Sequence, residues 1–341
     1  MKFDVVIGNP PYQEEAKGEN TAGIPIYHKF IDEAYKVSSI TELITPARFL
    51  FNAGQTPTSW NQKMLNNPHL KIVFYSQDSS KIFSNTDIKG GVAISYHDVN
   101  QNFGSIETFI SYPELQNIMK KAAPETLSES LAEIIYTQTK FNLEELYKNY
   151  PEYKKIIGSK GQDKRFRNNI FEKIPAFTEE PQSEDDIKVL GLANKKRVYR
   201  YLPRKFVDMT HKNLNFFKVF VPRSNGSGAI GEVLSTPLIG APLIGYTQTF
   251  IGIGAFTKES EAESCLKYIK SKFARTMLGI LKITQDNNRD TWRKVPLQDF
   301  TLQSDINWSL SIPEIDQQLY AKYGLSADEI NFIESKVKEM N

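Results

Sequence analysis

The sequence predicts an α/β unit followed by an α+β unit. In residues 1–110, short β-branched runs alternate with segments of helical periodicity, which is typical of a partly parallel sheet. After residue 216, several strand-like runs follow one another closely and then give way to a helical pattern at residues 260–281. The 341 residues suffice for two hydrophobic cores, and a content of 40% hydrophobic and 24% charged residues is typical of a globular protein.

The first unit opens with an apolar run at residues 2–8, which predicts a buried strand that ends at Gly8. The spacing of apolar residues then predicts the other elements of the unit: a helix at 24–37, a strand at 40–44, a helix at 59–66, and strands at 70–75 and 92–96.

The rest of the chain is predicted to comprise a helical linker, a second unit and a C-terminal helical tail, at residues 111–160, 161–310 and 311–341. Capping boxes at residues 260–263 and 326–329 predict where two of its helices begin. A glycine-rich loop at residues 223–228 lacks the Lys-Ser/Thr pair of a phosphate-binding loop. It therefore does not predict a nucleotide site, although it could touch DNA.

Four special residues, Asn9-Pro10-Pro11-Tyr12, follow the first strand directly. The carboxyl ends of strands are where open α/β sheets hold their ligands, and the two prolines restrict the backbone of the turn. The Asn9 side-chain oxygen and the Pro10 carbonyl could accept the hydrogens of an exocyclic amino group, and Tyr12 offers a face for a base. These four residues alone leave open a simple proline turn with Tyr12 in the core.

Residues 3–13 resemble the catalytic motif of amino-methylating, S-adenosylmethionine-dependent methyltransferases, especially the adenine-specific DNA methyltransferases of bacterial restriction-modification systems. The resemblance implies a partial methyltransferase sheet in residues 1–110 and methyl transfer to a flipped adenine of double-stranded DNA. It implies that the residues Asn9, Pro10, Pro11 and Tyr12 are catalytic. It also implies a second aromatic residue against the adenine, for which Phe83 is the candidate, with an ordinary loop aromatic as the alternative.

In this family, a glycine-rich cofactor loop and an acidic partner for the ribose precede the catalytic motif, and neither is found in the present sequence. We therefore expect an upstream polypeptide or segment to provide the binding site for S-adenosylmethionine. We also expect Val5, Val6 and Ile7 to lie at an exposed apolar edge until that polypeptide covers it.

Positive charge is concentrated in the middle of the chain. The net charge is +2 overall, but it is +7 for residues 160–223 and +5 for residues 270–294. Interleaved basic, aromatic and amide residues there indicate DNA binding, and the unit loosely resembles a target-recognition domain. The candidate DNA contacts are Lys164, Arg165, Arg167, Arg197, Arg200, Arg204, Arg223, Asn225, Gln285, Asn288, Arg289 and Arg293. Arg223, Asn225, Asn288 and Arg289 are the candidate readers of base edges, and a solvated basic surface is the alternative for any one cluster.

The single cysteine, Cys265, excludes an intrachain disulfide and a cysteine cluster for zinc, and it is expected to be buried. No metal site is predicted. The longest uncharged run, residues 234–257, is interrupted by prolines and glycines and does not predict a membrane span. Since no signal peptide precedes the first strand, we expect a cytoplasmic protein of a prokaryote.

Two other classes of function stay open. One is a non-catalytic DNA-recognition subunit or inactive fragment, and the other is a methyltransferase that acts on RNA or on a protein glutamine. The large basic segment favours DNA over a protein substrate. The carboxylates at residues 184–186 lie in an acidic run that we interpret as a solvated surface, not as a nuclease site.

Overall fold

A computed structural model describes residues 3–14, 23–157 and 164–340. The chain divides into two compact units, residues 1–116 and 117–341, with the division inside helix α3 (Pro113–Ala122).

The first unit is a mixed α/β layer. Before α3, it contains β1 (Phe3–Gly8), α1 (Tyr27–Val37), β2 (Ser38–Pro46), α2 (Thr58–Leu65), β3 (Leu70–Ser76) and β4 (Val92–Asp98). The strand order is β1-β2-β4-β3, with β1 parallel to β2, and β4 antiparallel to both of its neighbours. The predicted order of strands and helices and the partly parallel sheet are thus confirmed.

One face of this sheet carries the core of the first unit. Tyr27 and Ile31 of α1 and Met64 of α2 pack with Leu43 of β2 and with Phe49, which lies in the turn after β2. Helix α1 presents an apolar stripe to the sheet, as the spacing of its residues predicts.

The other face of the sheet is exposed at β1. Phe3, Val5 and Ile7 alternate along the strand and are 50%, 45% and 76% exposed. Strand β1 also lies at one end of the sheet, and no strand in the described part of the chain pairs with its outer edge. The prediction of a buried strand is therefore wrong for these three side chains. The expectation of an exposed apolar edge is met for Val5 and Ile7, whereas Val6 is half-buried and packs against the core.

The second unit contains two further sheets. Its strands are β5 (Ile135–Tyr136), β6 (Ile187–Ala193), β7 (Lys196–Leu202), β8 (Phe217–Pro222), β9 (Leu238–Gly240), β10 (Ile244–Tyr246) and β11 (Phe250–Phe256). One sheet has the order β10-β6-β7 and the other β5-β11-β8-β9. The helices are α4 (Leu143–Asn149), α5 (Tyr153–Ile157), α6 (Ile170–Lys173), α7 (Glu259–Lys270), α8 (Lys272–Gly279), α9 (Ile312–Lys322) and α10 (Ala327–Lys336). Across the ranges that the structure describes, every helix is too short or too polar to cross a bilayer.

The segment predicted as a linker differs from that expectation, because residues 117–157 belong to the second unit. Strand β5 pairs with β11, and Phe141 and Leu146 are buried in one core with Phe166 and Val189. The predicted boundary at residue 160 lies outside the described residues. The predicted tail is also part of this unit, where Ile333 of α10 is fully buried.

The helical pattern at residues 260–281 forms two helices instead of one. The Ser271 hydroxyl accepts a hydrogen bond from the Ala274 amide at 3.1 Å and so caps α8. The capping box predicted to begin at residue 260 begins at Lys258 instead. There the Glu261 carboxylate accepts hydrogen bonds from the amides of Thr257 and Lys258. The box at residues 326–329 is confirmed, and Cys265 is buried as expected.

Candidate active site

Three strands of the first unit end at the same edge of their sheet. Strand β3 is antiparallel to β4, which is antiparallel to β2, so β1, β2 and β3 all run in one direction. Pro46, Val92 and Ser76 lie side by side across β2, β4 and β3, where β2 and β3 end. The segments that follow the three strands therefore lie at the edge where ligands bind in open α/β sheets.

A cavity of about 940 Å³ opens at this edge. It is lined by residues 9–12 after β1, by Arg48 after β2 and by Phe83 after β3, together with Tyr27 of α1. The structure thus brings Asn9, Tyr12 and Phe83 to one cavity. Sequence analysis missed Arg48, because only the pairing of β1 with β2 brings the end of β2 to this edge.

The turn at residues 9–12 is tied to the start of α1. The Tyr12 carbonyl accepts a hydrogen bond from the Ile26 amide at 3.0 Å, and the Glu14 amide donates to the Ile24 carbonyl at 2.9 Å. These bonds hold the turn beside the strand end and leave Asn9 exposed. A polar side chain is therefore presented at the cavity by a backbone that prolines and hydrogen bonds restrict.

Two tyrosine hydroxyls at the cavity have unused hydrogen-bonding capacity. Burial raises the pKa of the Tyr12 hydroxyl, and the nearby Asn9 side chain opposes part of that rise. Burial raises the pKa of Tyr27 to about 12. Neither oxygen makes a well-aligned hydrogen bond within the described residues, and the Asn9 and Thr56 side chains lie beside the Tyr12 and Tyr27 hydroxyls, respectively. Both hydroxyls could therefore bond to a molecule in the cavity.

The loop that carries Phe83 is organised by Ser79. The buried Ser79 hydroxyl donates to the Thr86 carbonyl at 2.8 Å and accepts from the Ile88 amide at 2.8 Å. The Ser79 carbonyl accepts from the Phe83 amide at 2.9 Å. These contacts hold a half-buried aromatic ring at the lining of the cavity.

The described lining does not fit the whole of S-adenosylmethionine. The acidic residue among the described residues of the lining is Asp87, which lies in an exposed ion pair with Lys89 at 2.6 Å, so the lining offers no buried carboxylate to hold the ribose. The lining instead combines aromatic rings, prolines and an exposed amide, which suits a flat, neutral base. The residues described here thus match the substrate better than the cofactor.

Two of the predicted DNA-contacting clusters converge in the second unit. The Phe141 amide donates a hydrogen bond to segment 164–166, and the Phe166 amide donates one to segment 139–142. The amides of Asn142 and Asp208 link residues 139–142 to residues 206–208 in the same way. Residues 139–142 therefore run between the two basic clusters. Lys164, Arg165 and Arg204 are exposed there.

Asn225 is not a reader of base edges. It is 3% exposed, its Nδ2 donates to the Val233 carbonyl at 3.0 Å, and its Oδ1 accepts from the Ser235 amide at 2.5 Å. Arg197 is occupied in the same loop, since its guanidinium donates to the carbonyls of Thr236 at 2.6 Å and Ser235 at 2.8 Å. Both side chains hold the loop that precedes β9.

The polar loop at residues 284–294 also uses its side chains internally. Asn288 Oδ1 accepts from the amides of Asp290 and Thr291 and thereby caps a short 3-10 turn. Arg289 Nε donates to the Ala132 carbonyl at 2.6 Å, and its Nη2 lies 3.3 Å from Glu133. Asn288 and Arg289 therefore already make contacts within the fold, and the Arg289 side chain is exposed.

The remaining predicted DNA contacts differ in how strongly they are held. Arg223 pairs with Asp286 at 3.5 Å, Arg293 with Asp290 at 3.0 Å, and Arg200 with Glu179 at 2.6 Å. Arg167 Nη2 donates to the Ile157 carbonyl at 3.5 Å, whereas Gln285 is exposed. Exposed ion pairs are weak, so DNA phosphates could compete for some of these arginines.

The backbone amides of the glycine-rich loop after β8 already bind a carboxylate side chain from the same chain. The Glu232 carboxylate accepts from the amides of Ser227 at 2.8 Å and Gly228 at 3.0 Å and contacts the buried ammonium of Lys282. Because these amides are the donors that a phosphate would require, the loop is closed to nucleotides.

Comparison with known proteins shows what the first segment is similar to. Residues 1–83 match the family described as Eco57I restriction-modification methylase. The resemblance to adenine-specific methyltransferases of restriction-modification systems is thereby confirmed for this segment. A curated relative from Mycoplasma pneumoniae, described as an uncharacterized adenine-specific methylase, is 33% identical over 95 residues. That match covers 27% of this chain and 22% of the relative, so the chain spans about a fifth of the relative's length.

Two solved structures are similar at the level of the whole chain. The type IIL restriction-modification enzyme MmeI, in complex with DNA, has a TM-score of 0.41 and 10% identity over 98% of this chain and 56% of MmeI. The type IIG restriction endonuclease BpuSI has a TM-score of 0.34 and 11% identity over 92% of this chain and 48% of BpuSI. Likeness of this degree carries no argument about function.

Proposed function

We propose that this chain provides the target-adenine pocket and the DNA-recognition part of an adenine-specific DNA methyltransferase of a restriction-modification system. The observation that carries the proposal is the cavity at the ends of β1, β2 and β3. It joins Asn9, Tyr12 and Phe83 within the segment that matches the methylase family.

Asn9 and Pro10 at the lining supply the two acceptors that an exocyclic amino group needs. Asn9 Oδ1 and the Pro10 carbonyl would accept the two hydrogens of the adenine amino group, which localises the nitrogen lone pair and raises its nucleophilicity. Tyr12 and Phe83 would stack on the base once it is flipped out of the duplex. S-adenosylmethionine supplies the methyl group when a complete enzyme binds it.

The exposed edge at β1 favours a partner polypeptide. Phe3, Val5 and Ile7 form an apolar row on a strand whose outer backbone groups lack a partner strand in the described residues. A strand added at this edge would satisfy those groups and cover the apolar row. The polypeptide that provides it would also bring the cofactor site beside Asn9.

Double-stranded DNA is the proposed partner of the second unit. Lys164, Arg165 and Arg204 are exposed on either side of residues 139–142 and would contact phosphates. Gln285 is the exposed amide that remains as a candidate for a base edge.

The test is methyl transfer from radiolabelled S-adenosylmethionine to DNA, with and without an added polypeptide that carries a binding site for S-adenosylmethionine. We expect transfer only when both polypeptides are present, and loss of transfer with Asn9→Ala. DNA binding without transfer in the two-component reaction would favour the non-catalytic recognition subunit. Label on RNA or on a protein glutamine, with none on DNA, would favour the other alternative.

A further inference from the structure

Arg48 is the cation of the strand-end cavity. It follows β2 by two residues, so the parallel pairing of β1 with β2 carries it to the same edge as Asn9. It is the single arginine in residues 1–116, a segment that otherwise relies on lysine. Among the described residues at the cavity, it is also the one cationic side chain.

The Arg48 side chain is held on two sides. Its Nε donates to the Lys89 carbonyl in the loop before β4. Its aliphatic part lies against Gly54, where a Cβ would come within 2.5 Å of Arg48 Cδ. Gly54 has φ of +93°, a backbone conformation that favours glycine, so the loop can follow the side chain closely at this position. The guanidinium is thus positioned before any ligand arrives.

The terminal nitrogens of Arg48 have no hydrogen-bond partner within the described ranges, in contrast to Nε. Asp87, the acidic residue among the described residues of the lining, lies in an exposed ion pair with Lys89 and not with Arg48. A pre-positioned guanidinium with free terminal nitrogens matches two oxygens of one phosphate. A neutral base offers no such anion, so Arg48 suits a ligand that carries negative charge next to the base.

We propose that Arg48 binds a backbone phosphate that flanks the adenine held in the cavity. The identity of this ligand rests on the proposed function, because a flipped nucleotide brings its own phosphates to the mouth of the pocket. The contact would fix the sugar-phosphate backbone while Asn9 and Pro10 hold the amino group. Arg48 is thus a substrate-positioning residue for the nucleotide.

The experiment uses the full chain and a short DNA duplex with one adenine opposite an abasic site, which lowers the cost of flipping. Each phosphate beside that adenine is replaced in turn by an uncharged methylphosphonate. Affinity is measured for wild type, Arg48→Ala and Arg48→Lys, in the absence of S-adenosylmethionine, so that the carboxylate of the cofactor cannot contribute. Lys63→Ala is the matched control, because Lys63 pairs with Asp32 and does not line the cavity.

We expect one methylphosphonate to weaken wild-type and Lys63→Ala binding by about tenfold, or ~1.4 kcal/mol, and Arg48→Ala binding by less than about twofold. Arg48→Lys keeps the charge but loses the two-pronged contact, so it should show an intermediate loss. Gly54→Ala, which displaces the Arg48 side chain without removing it, should also lower the sensitivity.

An equal loss for wild type and Arg48→Ala at every position would overturn the phosphate contact, even if adenine binding depends on Asn9. Conversely, wild type that binds the adenine duplex no better than one lacking that adenine would count against the proposed pocket. The phosphate contact would still be decided by the coupling between the methylphosphonate and Arg48.

Discussion

The strand-end cavity of the first unit and the polar loop of the second, residues 284–294, both contain the residue types that bind ligands. They differ in how those residues are bonded. In the cavity, the Tyr12 hydroxyl makes no well-aligned hydrogen bond within the described residues, and the neighbouring Asn9 side chain is exposed. In the loop, Asn288 caps a turn and Arg289 bonds to the Ala132 carbonyl.

This difference shows that a density of polar residues is a poor guide to binding unless their internal partners are known. Buried or half-buried donors nearly always find acceptors, and a polar loop can satisfy itself. A site is indicated where positioned polar groups stay unsatisfied. The cavity meets that criterion with groups that line open space, whereas in the polar loop Asn288 and Arg289 are bonded, and the partnerless Asn287 Oδ1 and Trp292 Nε1 belong to fully buried residues.

The largest effect is expected for Asn9→Ala in the completed enzyme. Loss of the side-chain acceptor should lower the rate of methyl transfer by about 100-fold or more, the scale found when one preorganised hydrogen-bonding group is removed. Duplex DNA affinity should change little, because Asn9 contacts only the flipped base. Single-turnover rates and affinities, with the exposed Gln62→Ala as control, will separate the two. Equal losses in rate and affinity would contradict this assignment.

Removal of an aromatic ring from the cavity should have the next largest effect. Tyr12→Ala and Phe83→Ala should each weaken the hold on a flipped base by about 1–3 kcal/mol, the range for base stacking on aromatic side chains. The fluorescence of 2-aminopurine at the target position reports the flipped state. Phe74→Ala, which removes an exposed ring of β3, is the control. Unchanged fluorescence in both cavity variants would show that the base lies elsewhere.

Asn225→Ala tests the same contrast in a second loop, the one after β8, whose polar side chain is also bonded within the fold. The change leaves the Val233 carbonyl and the Ser235 amide without their partner, so the free energy of unfolding should fall by about 1–3 kcal/mol. Exposed Gln285→Ala should alter it by less than about 0.5 kcal/mol. Urea denaturation provides both values. A stable Asn225→Ala protein with relaxed DNA sequence preference would restore Asn225 as a base reader.

Lys218 is a fully buried cation whose hydrogen bonds are made within the fold. Its ammonium is buried and donates to the carbonyls of Asn213 and Leu214, and burial lowers its pKa from 10.5 to about 7. Between these two pH values the unfolded chain binds more protons than the folded chain, so the stability should rise with pH. The slope would be at most about 1.4 kcal/mol per pH unit.

Urea denaturation at several pH values from 7 to 10, for wild type and Lys218→Met, measures this linkage. The free energy of unfolding of Lys218→Met, minus that of wild type, should be greatest at the lowest pH and should decrease as the pH rises. A difference between the two proteins that is independent of pH would show that Lys218 titrates normally.

The sequence could predict the first unit because its signals are local. Alternating apolar runs give β1 to β4, and the motif at residues 9–12 lies at a strand end that periodicity alone locates. Phe83 could be named because the resemblance supplied it. Arg48 was missed because its importance depends on the parallel pairing of β1 with β2, which no single segment encodes.

The second unit was harder to predict because its contacts are distant in sequence. Strand β5 pairs with β11, more than a hundred residues later, so the segment that contains β5 resembled a linker. The partner of Arg289 is similarly far away, at Ala132. Charge clustering identified basic segments correctly but could not show which cations were already bonded.

The smallest effect is expected from single phosphate contacts, and it distinguishes free cations from bonded ones. Arg165→Ala and Arg204→Ala should each reduce the slope of log affinity against log salt by about 0.9, the value for one phosphate contact on duplex DNA. Arg289→Ala should leave the slope unchanged and lower stability instead, because its guanidinium bonds to Ala132 and Glu133. Affinities of the folded variants for a random-sequence duplex at several salt concentrations provide the slopes. If Arg289→Ala lowers the slope as much as Arg165→Ala does, the internal bonds of the polar loop open on DNA, and bonding in the free protein would not determine which cations contact phosphate.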